Sequence, residues 1–165
     1  MQAWHDFFIA QVGACAALVG LLFVALSINV AQILKYPWLP ARGAQTLVVL
    51  TGALLEASLM LLPETSMKPI CLVLIGCTLI VWLLSLRLVL DFVRGLNKQQ
   101  EIVVPRDWTY GYFGLAQIAT LPGVVGAVLL YFGNLAGYYW IAGGLLATFV
   151  FALLNSWILL IEILR

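Results

Sequence analysis

Charged side chains are absent from residues 108–161, and that gap sets the class of the chain. At ~1.5 Å per residue, one helix of this length would cross a ~30 Å hydrocarbon core more than twice. The segment must therefore turn back, and the turn chemistry lies at Gly133 and Asn134, with Gly137 just beyond. The pattern predicts two membrane spans, residues 108–132 and 138–161, joined by a very short connection. Asp107 is placed to cap the first of them.

The same pattern recurs upstream. Residues 7–34 form another uncharged run and predict a span over 7–30. No Lys or Arg precedes it, and no small-residue cleavage site separates it from a polar mature chain, so a span is expected rather than a cleavable signal. Pro37 and Pro40 then interrupt the helix. A second span is predicted over 44–62, with Glu56 inside it. A turn follows at 63–68. Pro69 suits the first turn of a third span over 69–90. Arg87 lies near the end of that span, and Gly95, Asn97 and Pro105 mark the one substantial loop. The expected fold is a single all-α integral membrane domain over 1–165, a compact bundle of five transmembrane helices with short loops.

Composition agrees with this reading. Hydrophobic residues make up 64% of the chain and charged residues 9%, too few to cover the surface of a soluble domain. A net charge of +1 argues against an electrostatic nucleic-acid partner. Cys15, Cys71 and Cys77 all fall in apolar runs and read as small packing residues. No Cys/His metal spacing, phosphate-binding glycine loop or nucleophile–base pair is visible. Neither an enzyme nor a cofactor or metal site is therefore expected.

The basic residues set the orientation. With five spans, Lys35, Arg42, Arg87, Arg94, Lys98, Arg106 and Arg165 share one side, and Lys68 alone lies on the other. The positive-inside rule then places the amino terminus outside and the carboxyl terminus in the cytoplasm. Leaving out the Glu56 helix would export the most basic loop. The aromatic residues give a second check. Trp4, Phe7, Tyr131, Tyr138, Tyr139 and Trp140 collect at the outer ends, and Tyr36, Trp38, Trp108, Tyr110 and Trp157 at the inner ends, as an interfacial belt requires.

Glu56 is the leading functional candidate, because it is the ionisable residue deepest in a span. A charge there costs roughly 2.5–3.5 kcal/mol on the insertion scale. It reads either as a protonatable site for protons or cations, or as a protonated acid that bonds neighbouring helices together. Thr78, Thr120 and Thr148 fall at the same depth and could complete a midplane polar layer. Alternatively, each bonds the carbonyl one turn back on its own helix. Asp6, Gly13, Gly20 and Ser27 repeat at seven along the first span, which suits a packing seam within or between subunits, or a pore lining. By depth, Asn29, Arg87, Asn155 and Glu162 form an inner polar cluster, read as a vestibule or as structural neutralisation of Arg87. Pro122 and Gly123 interrupt the fourth span, as a hinge or as a static bend.

The stretch Trp4-His5-Asp6-Phe7-Phe8, followed by 20–29 (GLLFVALSIN), resembles small bacterial multi-pass membrane proteins of unassigned function. The likeness covers the first span. It implies a bacterial plasma membrane and no mechanism. Together these readings lead to the expectation of an oligomeric channel-like protein passing small ions or protons. The alternative is a non-catalytic subunit that regulates another membrane complex. The expected partners are the lipid bilayer and further copies of the chain.

Overall fold

A computed structural model describes residues 2–35, 39–63, 67–98 and 106–164, with side chains placed except at 91–98, 106–113 and 162–164. Among the described residues six helices follow one another: α1 (Gln2–Ile28), α2 (Val30–Ile33), α3 (Leu39–Leu59), α4 (Met67–Lys98), α5 (Arg106–Tyr131) and α6 (Ala136–Leu164). No strand is present among the described residues, so the all-α class stands.

The helix ends follow local chemistry. α1 gives way at Asn29, whose side-chain amide donates to the Ala25 carbonyl at 2.9 Å, and the single turn of α2 carries the chain onward. α3 begins at Leu39 rather than at 44, because Pro40 occupies its first turn, where no backbone N–H is needed. It ends at Leu59, three residues before the expected limit. Pro69 sits in the first turn of α4, as the sequence suggested, but α4 runs on past the expected end at 90 and takes Gly95 and Asn97, expected as loop, into the helix as far as Lys98. α5 runs through Pro122 without ending. Between α5 and α6, Gly133 takes φ 81°, a left-handed conformation open to glycine. The N–H groups of Gly133 and Asn134 reach back to the carbonyls of Leu130 and Leu129, both at 2.9 Å. The Asn134 side chain then accepts from the Ala136 N–H at 2.9 Å and opens α6.

α3 is the centre of the bundle. It packs on α1, α4 and α6 and touches α5, while α4, α5 and α6 pack in sequence around it. Gly52 of α3 meets Val81 of α4, and Gly43 of α3 meets Leu26 of α1. The closest backbone approach joins α5 to α6, where Gly126 faces Ile141 and Gly144 faces Pro122 and Gly123. Small residues at such contacts let dispersion forces act over the whole length of two helices, which matters where lipid removes the hydrophobic drive between them. Leu50, Ala57, Leu74, Ile141 and Leu145 fill the interior, and the cysteines are free thiols. At one end Trp4 stacks on Tyr138, with ring centroids 5.4 Å apart, and meets Tyr139 edge-on at 4.9 Å. The aromatic residues expected at that interface therefore pack on one another. Tyr36 and Trp38 lie outside the described residues, as do the side chains of Trp108 and Tyr110.

Among the described residues, four helical segments are long and apolar enough to cross a membrane: Gln2–Ile28, Met67–Leu90, Gly114–Tyr131 and Ala136–Ile161. α3, expected as the second of five spans, is not among them. The physical reason is its position. Its 21 residues reach about 32 Å at the α-helical rise, as long as a hydrocarbon core is thick. Other helices cover its polar face, so it carries Arg42, Gln45, Thr46 and Glu56 toward protein.

Candidate functional site: a buried polar track on the central helix

The polar side chains of α3 converge with those of three other helices. Arg42 donates from Nε to Asn155 Oδ1 on α6 at 3.1 Å, Asn155 Nδ2 donates to the Thr46 hydroxyl, and that hydroxyl donates to the Arg42 carbonyl at 2.9 Å. Asn155 and Thr46 are fully buried. One step around α3, the Gln45 amide donates to Ser85 Oγ on α4 at 3.3 Å, and the Gln117 amide on α5 donates to the same oxygen at 2.8 Å. Four helices are thus tied by amides and hydroxyls toward the Arg42 end.

Glu56 lies further along the track. Eleven residues from Gln45 amount to three helical turns, so the two side chains share one face of α3, about 16 Å apart along the axis. The Glu56 carboxyl is seated against Gly123 of α5. A methyl group on Gly123 would overlap Oε1 and lie 3.0 Å from both Cδ and Oε2. Gly123 is about 9 Å along α5 from Gln117, and Thr120 lies between them with its hydroxyl on the Gln117 carbonyl at 3.0 Å. Pro122, beside Gly123, supplies no N–H, so the carbonyl one turn back loses its usual helical donor.

Three acceptor oxygens on this track are buried without a donor among the described residues: Gln45 Oε1, Gln117 Oε1 and Glu56 Oε1. Buried polar atoms are nearly always satisfied, by protein or by water, so each of these separated acceptors is suited to a water molecule or another proton donor. Among the described residues, no group of three or more His, Cys, Asp or Glu could hold a metal ion.

The expected site residues fare differently. Glu56 is half-buried, with its Oε1 enclosed. The midplane threonines do not gather on it. Thr78 bonds the Leu74 carbonyl at 2.8 Å on its own helix, Thr120 bonds that of Gln117, and Thr148 crosses to the Ala119 carbonyl of α5 at 3.3 Å. Hydroxyls at membrane depth find the nearest carbonyl, and here that is closer than the carboxyl. The inner cluster is also regrouped. Asn155 pairs with Arg42 and Thr46, Asn29 turns back on its own helix, and Arg87 is exposed. The Glu162 side chain lies outside the described residues. In the first-span stripe, Asp6, Gly13, Gly20 and Ser27 are all exposed, and a methyl group on Gly13 or Gly20 would touch nothing. The stripe is therefore not a seam within the subunit.

Sequence reasoning missed Arg42, Gln45, Thr46, Ser85 and Gln117. The signal was present on α3: positions 42, 45 and 46 follow the i, i+3, i+4 spacing of one helix face, continued at 56. Reading Arg42 as loop hid it. No family model, curated protein or solved structure matches the chain, so its residues alone carry the functional argument.

Proposed function

We propose that this protein is a channel-like membrane protein that passes protons along the interior of each subunit, with Glu56 as the protonatable site. In this reading α3 is a fifth span, the amino terminus lies outside a bacterial plasma membrane and the carboxyl terminus lies in the cytoplasm. The observation that carries it is the set of three buried acceptor oxygens, Gln45 Oε1, Gln117 Oε1 and Glu56 Oε1, on the facing helices α3 and α5. Arg42, Thr46 and Asn155 open this track at the cytoplasmic end, and Gln45, Ser85 and Gln117 continue it. A proton reaching Glu56 through bound water finds an acceptor there. Beyond Glu56 the interior is closed by apolar packing around Ala57, Cys71, Leu130 and Ile141. Dry packing of that kind excludes a hydrated ion, and a proton held at Glu56 leaves on the far side only when this packing opens to admit water.

The track moves the pathway away from an oligomer axis lined by the first-span stripe and into the subunit. Gln45→Leu and Gln117→Leu each remove an acceptor and close the track. Purified protein in liposomes should carry a proton flux that either change lowers. Wild-type flux no greater than that of empty liposomes would reject the proposal.

A second reading, the accessory subunit, is favoured by the outer face of α1. Gly13 and Gly20 open a shallow, small-residue surface there onto which another helix would fit. Both readings allow the subunits to associate through that face.

A further inference from the structure

A groove of about 340 Å³ runs between α3 and α4 on the side away from the polar track. Leu47 and Leu55 form one wall, Ile80 and Leu84 the other, and Gly52 against Val81 forms the floor. Leu47 to Leu55 extends about 12 Å along α3, close to the ~15 Å depth of one leaflet's hydrocarbon. Its lining of Leu, Val and Ile side chains, with Thr51 and Cys77, is the chemistry that a hydrocarbon chain meets favourably.

One end of the groove carries a charge. Ile80, Leu84 and Arg87 follow each other at i, i+4 and i+7 on α4, so they share a face. Arg87 is exposed, close to Leu90, where the apolar part of α4 ends. Asp91 and Arg94 come next on the same helix, with side chains outside the described residues. A guanidinium at the edge of the hydrocarbon is best matched by a planar pair of phosphate oxygens, to which it donates two hydrogen bonds.

We propose that the α3–α4 groove binds one acyl chain of an anionic phospholipid whose phosphate is held by Arg87. The site needs only that the chain lies in a membrane, and it is independent of proton movement at Glu56. A lipid there would cover the joint between the central helix and α4, and would link bundle stability to membrane composition.

Native mass spectrometry of the purified protein from mild detergent tests this, with phosphatidylglycerol and phosphatidylcholine of identical chains added in turn. One phosphatidylglycerol per subunit should be retained about fivefold more strongly than phosphatidylcholine, the scale expected of one basic side chain at a membrane surface. Arg87→Gln should bring the two lipids to parity without loss of the folded subunit, because Arg87 is exposed. Ile80→Trp fills the groove from an exposed position and should reduce retention of both lipids. Ile118→Trp, on the exposed face of α5, should leave retention as in wild type. Equal retention of the two lipids by wild-type protein overturns the proposal. Unchanged retention in Ile80→Trp does the same. If Ile80→Trp instead converts an oligomer to single subunits, the groove is a contact between copies and the lipid assignment is wrong.

Discussion

The carboxyl of Glu56 on α3 and the bare Cα of Gly123 on α5 are matched in size, since a methyl group at 123 would overlap Oε1. Gly123→Ala should therefore destabilise the bundle by about 1–3 kcal/mol, the usual cost of overpacking. In a Glu56→Ala background the clash is gone, and the same change should cost almost nothing. Thermal unfolding of the four proteins in one detergent checks this, and additive effects would mean the two residues do not meet.

Asn155 ties α6 to the Arg42 end of the track, because it both accepts from Arg42 and donates to Thr46. Asn155→Leu leaves a guanidinium and a hydroxyl in the interior without that amide, and should cost at least ~1–3 kcal/mol. Asn155→Asp keeps an acceptor for Arg42 and should be tolerated better. Comparable loss in both variants, read by the same unfolding assay, would show that shape and not bonding governs this position.

Much of this fold was legible in the sequence, because hydrocarbon demands long uncharged helices and turn chemistry between them. Residues 108–161 gave α5, the Gly133–Asn134 turn and α6, with helix ends within three residues of those expected. The position of α3 was harder. Its charges and amides resemble a loop followed by a short span until the neighbouring helices are in place, and only then do Arg42 and Gln45 prove to face protein. Glu56 stood out because a lone acid at depth is conspicuous. Ser85 and Gln117 did not, because a single hydroxyl or amide in an apolar helix carries no sign of which helix it meets. Depth alone also could not say that Thr78 would bond its own helix, or that Asn155 would choose Arg42 over Arg87.

The exposed stripe on α1 yields a separate test. Because Gly20 touches nothing in the subunit, Gly20→Leu should leave the unfolding temperature of an isolated subunit unchanged. If α1 joins copies of the chain, the same change should lower the oligomer size measured by light scattering in mild detergent. Unchanged size together with unchanged stability would place this face against lipid.

Orientation can be checked in intact cells. The loop between α4 and α5 should be cytoplasmic, by the distribution of Lys and Arg. A cysteine introduced at Asn97, in a background lacking Cys15, Cys71 and Cys77, should resist a membrane-impermeant thiol reagent until the cells are opened. Reporter fusions at Arg165 should likewise register as internal. Labelling of position 97 from outside would reverse the topology and put the Arg42 end of the track on the outer face.

The central claim is that Glu56 gains and loses the proton that moves through the bundle. Glu56→Gln retains the shape and a carbonyl acceptor but cannot titrate, so the protein should fold normally. Glu56→Leu removes the polar group and serves as the packing control. The decisive measurement is proton flux into liposomes holding wild-type, Gln and Leu proteins at matched density, across a range of pH. Wild-type protein should carry a pH-dependent flux that both variants lose. A flux in the Gln variant equal to wild type at every pH would contradict the account, and would leave Glu56 as a neutral contact between α3 and α5.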